Sequence, residues 1–225
     1  MPTKFDESYW KFVQVKFRGS YNFDGLLPIL RTYIDWIKKY VDRSIRVLDV
    51  GCGFGYFLRL CDEQSWNTYG IDVSSFAIET ARTNTKAQLY LHDIESFDER
   101  IFGENTFDLI TMFDVLEHLA LPGAVLREFQ KILKQGGKLV ITTPNLNAIE
   151  RVLLKALARE EKWHGFSDET HINLYSTHSL RTLVQSAGLK ILELRTPFHS
   201  LSPATNHVLE KTGLGGKIWL LAEKA

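Results

Sequence analysis

Cysteine is scarce in this chain: Cys52 and Cys61 are the only two among 225 residues. They build no disulfide framework and no zinc-type pairing, so a reducing, cytoplasmic compartment fits. Charge of one sign is also missing, since 27 Lys and Arg balance 27 Asp and Glu. A neutral chain has no global field to hold a phosphate polymer, and nucleic acid is not an expected partner. No apolar run reaches the roughly 20 residues that a membrane-spanning helix needs. The opening Met1-Pro2-Thr3-Lys4-Phe5-Asp6-Glu7 is not followed by the apolar core of a secretory signal. Repeats and low-complexity tracts are absent as well. What is present is 44% apolar and 12% aromatic residues. That suffices for a folded core, and the length suggests one domain with an appendage.

The pattern divides the chain into an arm and helix at residues 1–43 and a main domain at 44–225. The arm is aromatic (Tyr9, Trp10, Phe17, Tyr21) and interleaved with Lys and Arg. It reads as packing on the domain or as a lid over a ligand. Leu26–Tyr40 has helical spacing, with Pro28 in its first turn. Strand-like runs at Ile45–Val50, Thr68–Asp72, Ala87–His92, Phe107–Phe113 and Lys138–Thr143 then alternate with helix-like ones. The helical segments are Gly55–Gln64, Ser74–Asn84 and Pro122–Lys134, the last stopped by Gly136-Gly137. Leu146–Ala158 and Thr177–Ala187 read as further helices, and Leu189–Arg195 and Lys217–Ala222 as closing strands. The last two strands have no clear helix between them, which predicts an antiparallel hairpin. The fold class is α/β: a Rossmann-like, seven-stranded, mostly parallel sheet with a C-terminal antiparallel strand and helices on both faces.

Arg46-Val47-Leu48-Asp49-Val50-Gly51-Cys52-Gly53-Phe54-Gly55 is the stretch with the most chemistry. It reads as strand, glycine turn and helix start. Such a turn lets a ligand approach bare backbone, with helix amides pointing at it. Asp72 ends the second strand, 21 residues after Gly51, near the spacing at which an acid meets a ribose diol. A dinucleotide fingerprint would need its third glycine at position 56, where Tyr56 stands. Asp49, aimed at the loop, disfavours pyrophosphate and suits a cation. The pattern therefore argues for S-adenosylmethionine, a sulfonium with an ammonium and no phosphate, and against a nicotinamide oxidoreductase.

The Val47–Gly55 run resembles motif I of class I S-adenosylmethionine-dependent methyltransferases. The likeness continues through Gly70-Ile71-Asp72-Val73-Ser74, Leu91-His92-Asp93-Ile94, Phe107–Leu119 and Leu133–Pro144. His171-Ile172-Asn173-Leu174-Tyr175-Ser176 extends it and is similar to the ubiquinone-pathway O-methyltransferase branch. The resemblance implies S-adenosyl-L-methionine as cofactor and S-adenosyl-L-homocysteine as product. It places Asp49 and the backbone of Gly51, Cys52, Gly53 and Gly55 at the methionine end. Asp72 would take the ribose, with Val73 on adenine. Asp93 would accept from the adenine amine, with Ile94 on the ring face. Phe113, with Asp114 beside it, would offer its carbonyl to the cofactor's amine. Phe17-Arg18-Gly19-Ser20, with Arg31 and Tyr33, is similar to the leader of methyltransferases found with surface-polysaccharide enzymes, which keeps a glycan precursor open as acceptor.

Methyl transfer is a displacement at carbon with a neutral leaving group, so alignment and exclusion of water are the main tasks. An O-acceptor also has to lose a proton. His118 and His171 are the candidate catalytic residues, since imidazole suits proton removal near neutrality. Each also reads as an ordinary hydrogen-bonded loop residue. His164, His171 and His178, with Asp168 and Glu169, have no short helical spacing of the zinc kind, and no metal is expected. Residues 145–175 read as an acceptor-side cover. Arg151, Lys155, Arg159 and Lys162 form a basic stripe beside Val152, Leu153, Leu154 and Leu157. An amphipathic basic helix of this kind can contact an anionic membrane through 146–162. The expected partner is a small-molecule or lipid-linked acceptor, methylated on O or N. The rival outside enzymology is a cofactor-binding module without catalysis.

Overall fold

A computed structural model of the chain describes all residues except 1–4, 17, 18, 20, 97–100, 164, 167 and 199–209, and leaves out the side chain of Lys16. Phe17, Arg18 and Ser20 of the arm, and His164, therefore lie outside the described residues. Fourteen regular elements are used below. The helices are α1 (Glu7–Lys16), α2 (Phe23–Ile37), α3 (Tyr56–Glu63), α4 (Ser75–Asn84), α5 (Pro122–Ile132), α6 (Ile149–Ala156) and α7 (Thr177–Ser186). The strands are β1 (Arg46–Val50), β2 (Asn67–Asp72), β3 (Gln88–Leu91), β4 (Phe107–Phe113), β5 (Leu133–Pro144), β6 (Leu189–Arg195) and β7 (Lys217–Lys224). The seven strands form one sheet in the order β3-β2-β1-β4-β5-β7-β6. β7 is antiparallel to both of its neighbours, as the closing hairpin predicts. This is the Rossmann-like methyltransferase fold. Contacts divide the chain into two compact units, residues 1–111 with 132–134 and residues 112–131 with 135–225.

In the first unit, β1 runs parallel to β2 with Asp49 opposite Gly70, and β2 runs parallel to β3. Val47, Leu48 and Val50 are buried, as expected for a strand covered on both faces. Helix α2 buries Leu30, Tyr33, Ile34, Trp36 and Ile37, the apolar stripe that helical spacing provides. Its start differs from the sequence expectation. The Asn22 side chain accepts from the Gly25 amide at 2.9 Å and caps the helix a turn earlier, so Pro28 sits inside it. Pro28 then has no N–H to give to the carbonyl four residues back.

The second unit contains the antiparallel part of the sheet. Trp219, Leu220 and Leu221 of β7 and Val140 and Ile141 of β5 are buried there. The Asn145 side chain donates to the carbonyls of Gly213 at 2.8 Å and Gly215 at 2.7 Å, which fixes the approach to β7. Helix α7 opens with a capping box in which Ser176 and Ser179 each satisfy the other's amide. Among the described residues, no helix is long and apolar enough to cross a membrane.

Two further expectations are corrected. Gly136-Gly137 does not end α5. The helix stops at Ile132, whose carbonyl takes the Thr106 amide at 2.7 Å, and Leu133 already belongs to β5. The Lys134 ammonium is held by Asp108 at 2.8 Å, and Gly136, with φ of 72°, is a bend inside the strand. Helix α6 is also shorter than its pattern. It spans Ile149–Ala156 and buries no residue, so no packing face extends it.

Gly70 sets how closely β2 is approached. A Cβ there would lie 2.7 Å from Leu58 Cδ1, 2.8 Å from Leu89 Cδ2 and 3.0 Å from Cys52 Sγ. Gly70→Val is expected to destabilise the protein by about 1–3 kcal/mol through overpacking. A lower urea midpoint with unchanged slope would show it. An unchanged midpoint would mean that the neighbours yield freely.

Candidate active site

The glycine turn of the first unit is held by strand β2. The amides of Gly51 and Cys52 both donate to the Ile71 carbonyl, at 2.8 and 3.1 Å. Gly51, Gly53 and Gly55 all take positive φ, 67°, 52° and 74°. At Gly55, which caps α3, a Cβ would also meet Thr85 Cγ2 at 3.0 Å and Ala81 Cβ at 3.1 Å. The turn is thus left-handed and crowded, which only glycine tolerates.

Two buried carboxylates stand at this turn. Asp72 accepts from the Gly53 amide at 2.9 Å and from the Ser74 amide at 2.8 Å. Burial raises its pKa, and these amides oppose the rise. Asp49 accepts from the Thr111 hydroxyl at 2.6 Å. Burial pushes it up to about 7, and the charge of Asp72 adds to this. A buried acid so poised gains most from a cation. Thr111 was not singled out in the sequence, although a hydroxyl inside the apolar run of β4 was a readable signal.

The remaining donor-side candidates differ in character. Cys52 is buried and packs with Leu58 and Ile78, so only its backbone belongs to the turn. Burial holds its thiol in the neutral form. Val73 is half-buried and Ile94 is buried. Asp93 is exposed and accepts from the Glu95 amide at 2.9 Å, which caps the short turn Ile94–Ser96. The arm reaches this site. Trp10 of α1 donates its indole N–H to Ser74 Oγ at 3.0 Å and packs on Phe54 with ring centroids 4.6 Å apart. Its ring would lie 3.1 Å from a Cβ at Gly53, and the Tyr21 hydroxyl 3.3 Å.

In the second unit, Phe113 closes β4 half-buried, and Asp114 follows with φ of 56°, uncommon for a residue with a side chain. The Asp114 amide donates to the Thr142 carbonyl at 3.0 Å and its carboxylate pairs with the Lys217 ammonium. Burial opposes its ionisation, yet Lys217 outweighs burial and holds the acid below its ordinary range. Lys217 comes from β7, far along the chain, and no motif marks it.

The same unit brings the two candidate histidines together, with ring centroids 4.8 Å apart. The Glu117 carbonyl accepts the amides of Ile172 and Asn173, both at 3.0 Å, and the Asn173 side chain donates to the Leu119 carbonyl. These bonds dock the segment carrying His171 onto the turn Leu116–His118. His118 Nδ1 lies 3.1 Å from the Thr170 carbonyl and His171 Nδ1 3.0 Å from the Gly165 carbonyl. A carbonyl only accepts, so each Nδ1 carries the hydrogen and each neutral ring keeps its lone pair on Nε2. Burial lowers the His118 pKa, partly offset by Thr170. Glu117 is fully buried, and its Oε2 accepts from the Thr143 hydroxyl at 3.0 Å. Burial, with the charge of Asp114, raises it to about 8.

The basic stripe is only partly a surface. Arg151 donates to the Leu146 carbonyl at 2.9 Å, pairs with Glu160 and lies 5.9 Å from the Trp163 ring centroid. Lys155, Arg159 and Lys162 are exposed, as are Val152, Leu153 and Leu157.

Asp49 gives a stability signature. Its folded pKa is raised, so the stability it contributes is complete below its ordinary value of 3.8 and is lost as pH rises through about 7. Asp49→Asn should remove this loss. Its urea midpoint is expected to gain on the wild type between pH 5 and pH 8, while S-adenosylhomocysteine no longer raises its melting temperature. Parallel pH profiles for the two proteins would contradict this.

Comparison with known proteins gives this arrangement its context. The sequence matches the family described as Methyltransferase domain over residues 24–194. It is 27% identical to a ubiquinone biosynthesis O-methyltransferase of Hydrogenovibrio crunogenus over 177 residues, 76% of this chain and 73% of that one. The mitochondrial ubiquinone biosynthesis O-methyltransferase of Candida albicans is 38% identical over 110 residues, 46% of this chain and 34% of that one. Among solved structures, a SAM-dependent methyltransferase from Archaeoglobus fulgidus aligns with a TM-score of 0.69 at 21% identity, covering 96% of this chain and all of its own. The chain therefore belongs to the methyltransferase-domain family and is a class I enzyme dependent on S-adenosylmethionine.

Proposed function

We propose that this enzyme transfers the methyl group to an oxygen of a small-molecule acceptor. The observation that carries this reading is the pair His118 and His171, whose Nδ1 hydrogens are both committed to backbone carbonyls. Their Nε2 lone pairs suit a hydroxyl acceptor, which has to give up its hydrogen, more than an amine that is already neutral. The names of the relatives, ubiquinone biosynthesis O-methyltransferases, support the same reading.

On the donor side, Asp49 and the backbone of Gly51–Gly55 hold the methionine ammonium and Asp72 takes the ribose hydroxyls. Val73 and Ile94 pack on adenine, and Asp93 accepts from its amine. Trp10 and Tyr21 make the arm a cover for the glycine turn, with Trp10 anchored on Ser74. The acceptor hydroxyl gives its proton to an imidazole Nε2 as its oxygen attacks the methyl carbon in line; the carbon–sulfur bond breaks, and its electron pair stays on sulfur as the neutral thioether. Dry walls and fixed geometry supply most of the acceleration. The exposed apolar residues along α6, beside Lys155 and Arg159, support an acceptor with an apolar tail.

The test uses a carbon-13 methyl donor and a panel of hydroxylated and aminated acceptors. The product methyl is expected at the chemical shift of an O-methyl group. His171→Ala is expected to slow turnover by about 10²-fold, while the thermal shift with S-adenosylhomocysteine is kept. N-methyl products alone, or full activity in both His118→Ala and His171→Ala, would overturn the proposal.

A further inference from the structure

The geometry points to Trp163 as a positioning residue for His171. Its buried ring supports the turn 163–166, a carbonyl of that turn holds the His171 imidazole, and Arg151 of α6 clamps the ring. In the sequence, Arg151 reads only as the head of a basic stripe.

The hold begins at the backbone. His171 Nδ1 donates to the Gly165 carbonyl at 3.0 Å. On the other side of the ring, Asp168 Oδ2 lies 4.0 Å from Nε2, beyond hydrogen-bond reach. The tautomer of His171 therefore depends on where the Gly165 carbonyl points. The Phe166 amide donates to the Trp163 carbonyl at 2.9 Å and closes the turn around Gly165. The Trp163 amide donates to the Glu160 carbonyl at 3.0 Å and ties the start of the turn to the short turn Glu160–Lys162.

The space beneath this turn is filled by the indole. Trp163 is fully buried. A Cβ at Gly165 would overlap Cζ3 and Cη2 of its ring and lie 2.7 Å from Cε3. Gly165 takes no positive φ, so space and not backbone conformation reserves the position for glycine. Phe166 meets the indole edge-on, with ring centroids 5.3 Å apart and planes at 80°. The Arg151 guanidinium lies 5.9 Å from the Trp163 centroid and 5.8 Å from that of Phe166, within reach of a cation–π contact. Arg151 is itself fixed from two sides, by the Leu146 carbonyl at 2.9 Å and by the Glu160 carboxylate. A planar guanidinium serves these partners together, which a compact ammonium does not.

The consequence for the reaction rests on the O-methylation reading, whereas the lock on the ring does not. An imidazole takes a proton only through a bare nitrogen. With the Nδ1 hydrogen committed to Gly165, Nε2 keeps its lone pair. It accepts the hydroxyl proton as the oxygen bonds to the methyl carbon and the carbon–sulfur pair stays on sulfur. A ring released from Gly165 exchanges between its two tautomers, and the form with hydrogen on Nε2 cannot act as the base.

The experiment labels the histidines of the full chain with nitrogen-15 and saturates it with S-adenosylhomocysteine. Long-range nitrogen–proton correlations then read each ring's tautomer, at a pH where the rings are neutral. The His171 signals are those lost in His171→Ala. They are expected to show hydrogen on Nδ1 and a bare Nε2. Gly165→Ala should bring in the other tautomer and lower kcat by about tenfold, with little change in KM for S-adenosylmethionine. Trp163→Phe has a shorter ring that leaves room for the new methyl, so adding Gly165→Ala to it should cost about threefold at most. The His118 tautomer, held by the Thr170 carbonyl, should stay the same throughout, which a general loosening of the segment would not allow. A kept thermal shift with S-adenosylhomocysteine shows that each variant is folded. Four results would overturn the proposal: a wild-type His171 with hydrogen on Nε2, an unchanged tautomer in folded Gly165→Ala, a His118 tautomer that moves with it, or an equal cost of Gly165→Ala in both backgrounds. A changed His171 tautomer with full turnover would overturn the base reading and leave the lock standing.

Discussion

The Asp72 carboxylate spans two backbone amides, and the glycine turn of the first unit depends on that span. One oxygen holds Gly53 in the glycine turn and the other holds Ser74 at the head of α4. The end of one strand thereby positions the loop that follows another. The cost is a second acid buried beside Asp49, and two carboxylates at one turn repel each other. The Thr111 hydroxyl and the backbone amides offset part of this. A cation placed there would offset the rest. An anion such as pyrophosphate would add to the repulsion instead.

The second unit solves a different problem with the same kind of bond. Its segment around His171 has no periodic pattern, so nothing local gives it a shape. The Glu117 carbonyl supplies one by taking two successive amides, Ile172 and Asn173. The backbone of Glu117 thus builds the site while its side chain lies buried within it. Lys217 plays a similar part from β7, neutralising Asp114 at the positive-φ residue after β4.

Much of the fold was legible in the sequence because it is written in local terms. Apolar strands alternating with helices gave the sheet, the glycine turn and the acids at strand ends marked where Asp49 and Asp72 meet, and His118 and His171 were both singled out. What was illegible depends on partners far apart in the chain. Thr143 beneath Glu117 and Thr170 behind His118 have no local mark. Spacing describes helix faces, whereas Glu117, His118 and His171 meet through backbone hydrogen bonds between two segments. Local rules also misplaced some ends. Asn22 outbid the apolar pattern at the start of α2, and the Thr106 amide drew Ile132 out of α5 before Gly136 was reached.

The position of β7 has a consequence for how the protein is made. Strand β6 lies at the edge of the sheet and pairs there with β7, which is itself paired to β5. A ribosome delivers β5 first, then β6, and β7 after both. While β7 is still being translated, β6 has no template and β5 shows one open side. The nascent chain therefore carries an exposed strand edge until β7 is delivered to pair with both strands.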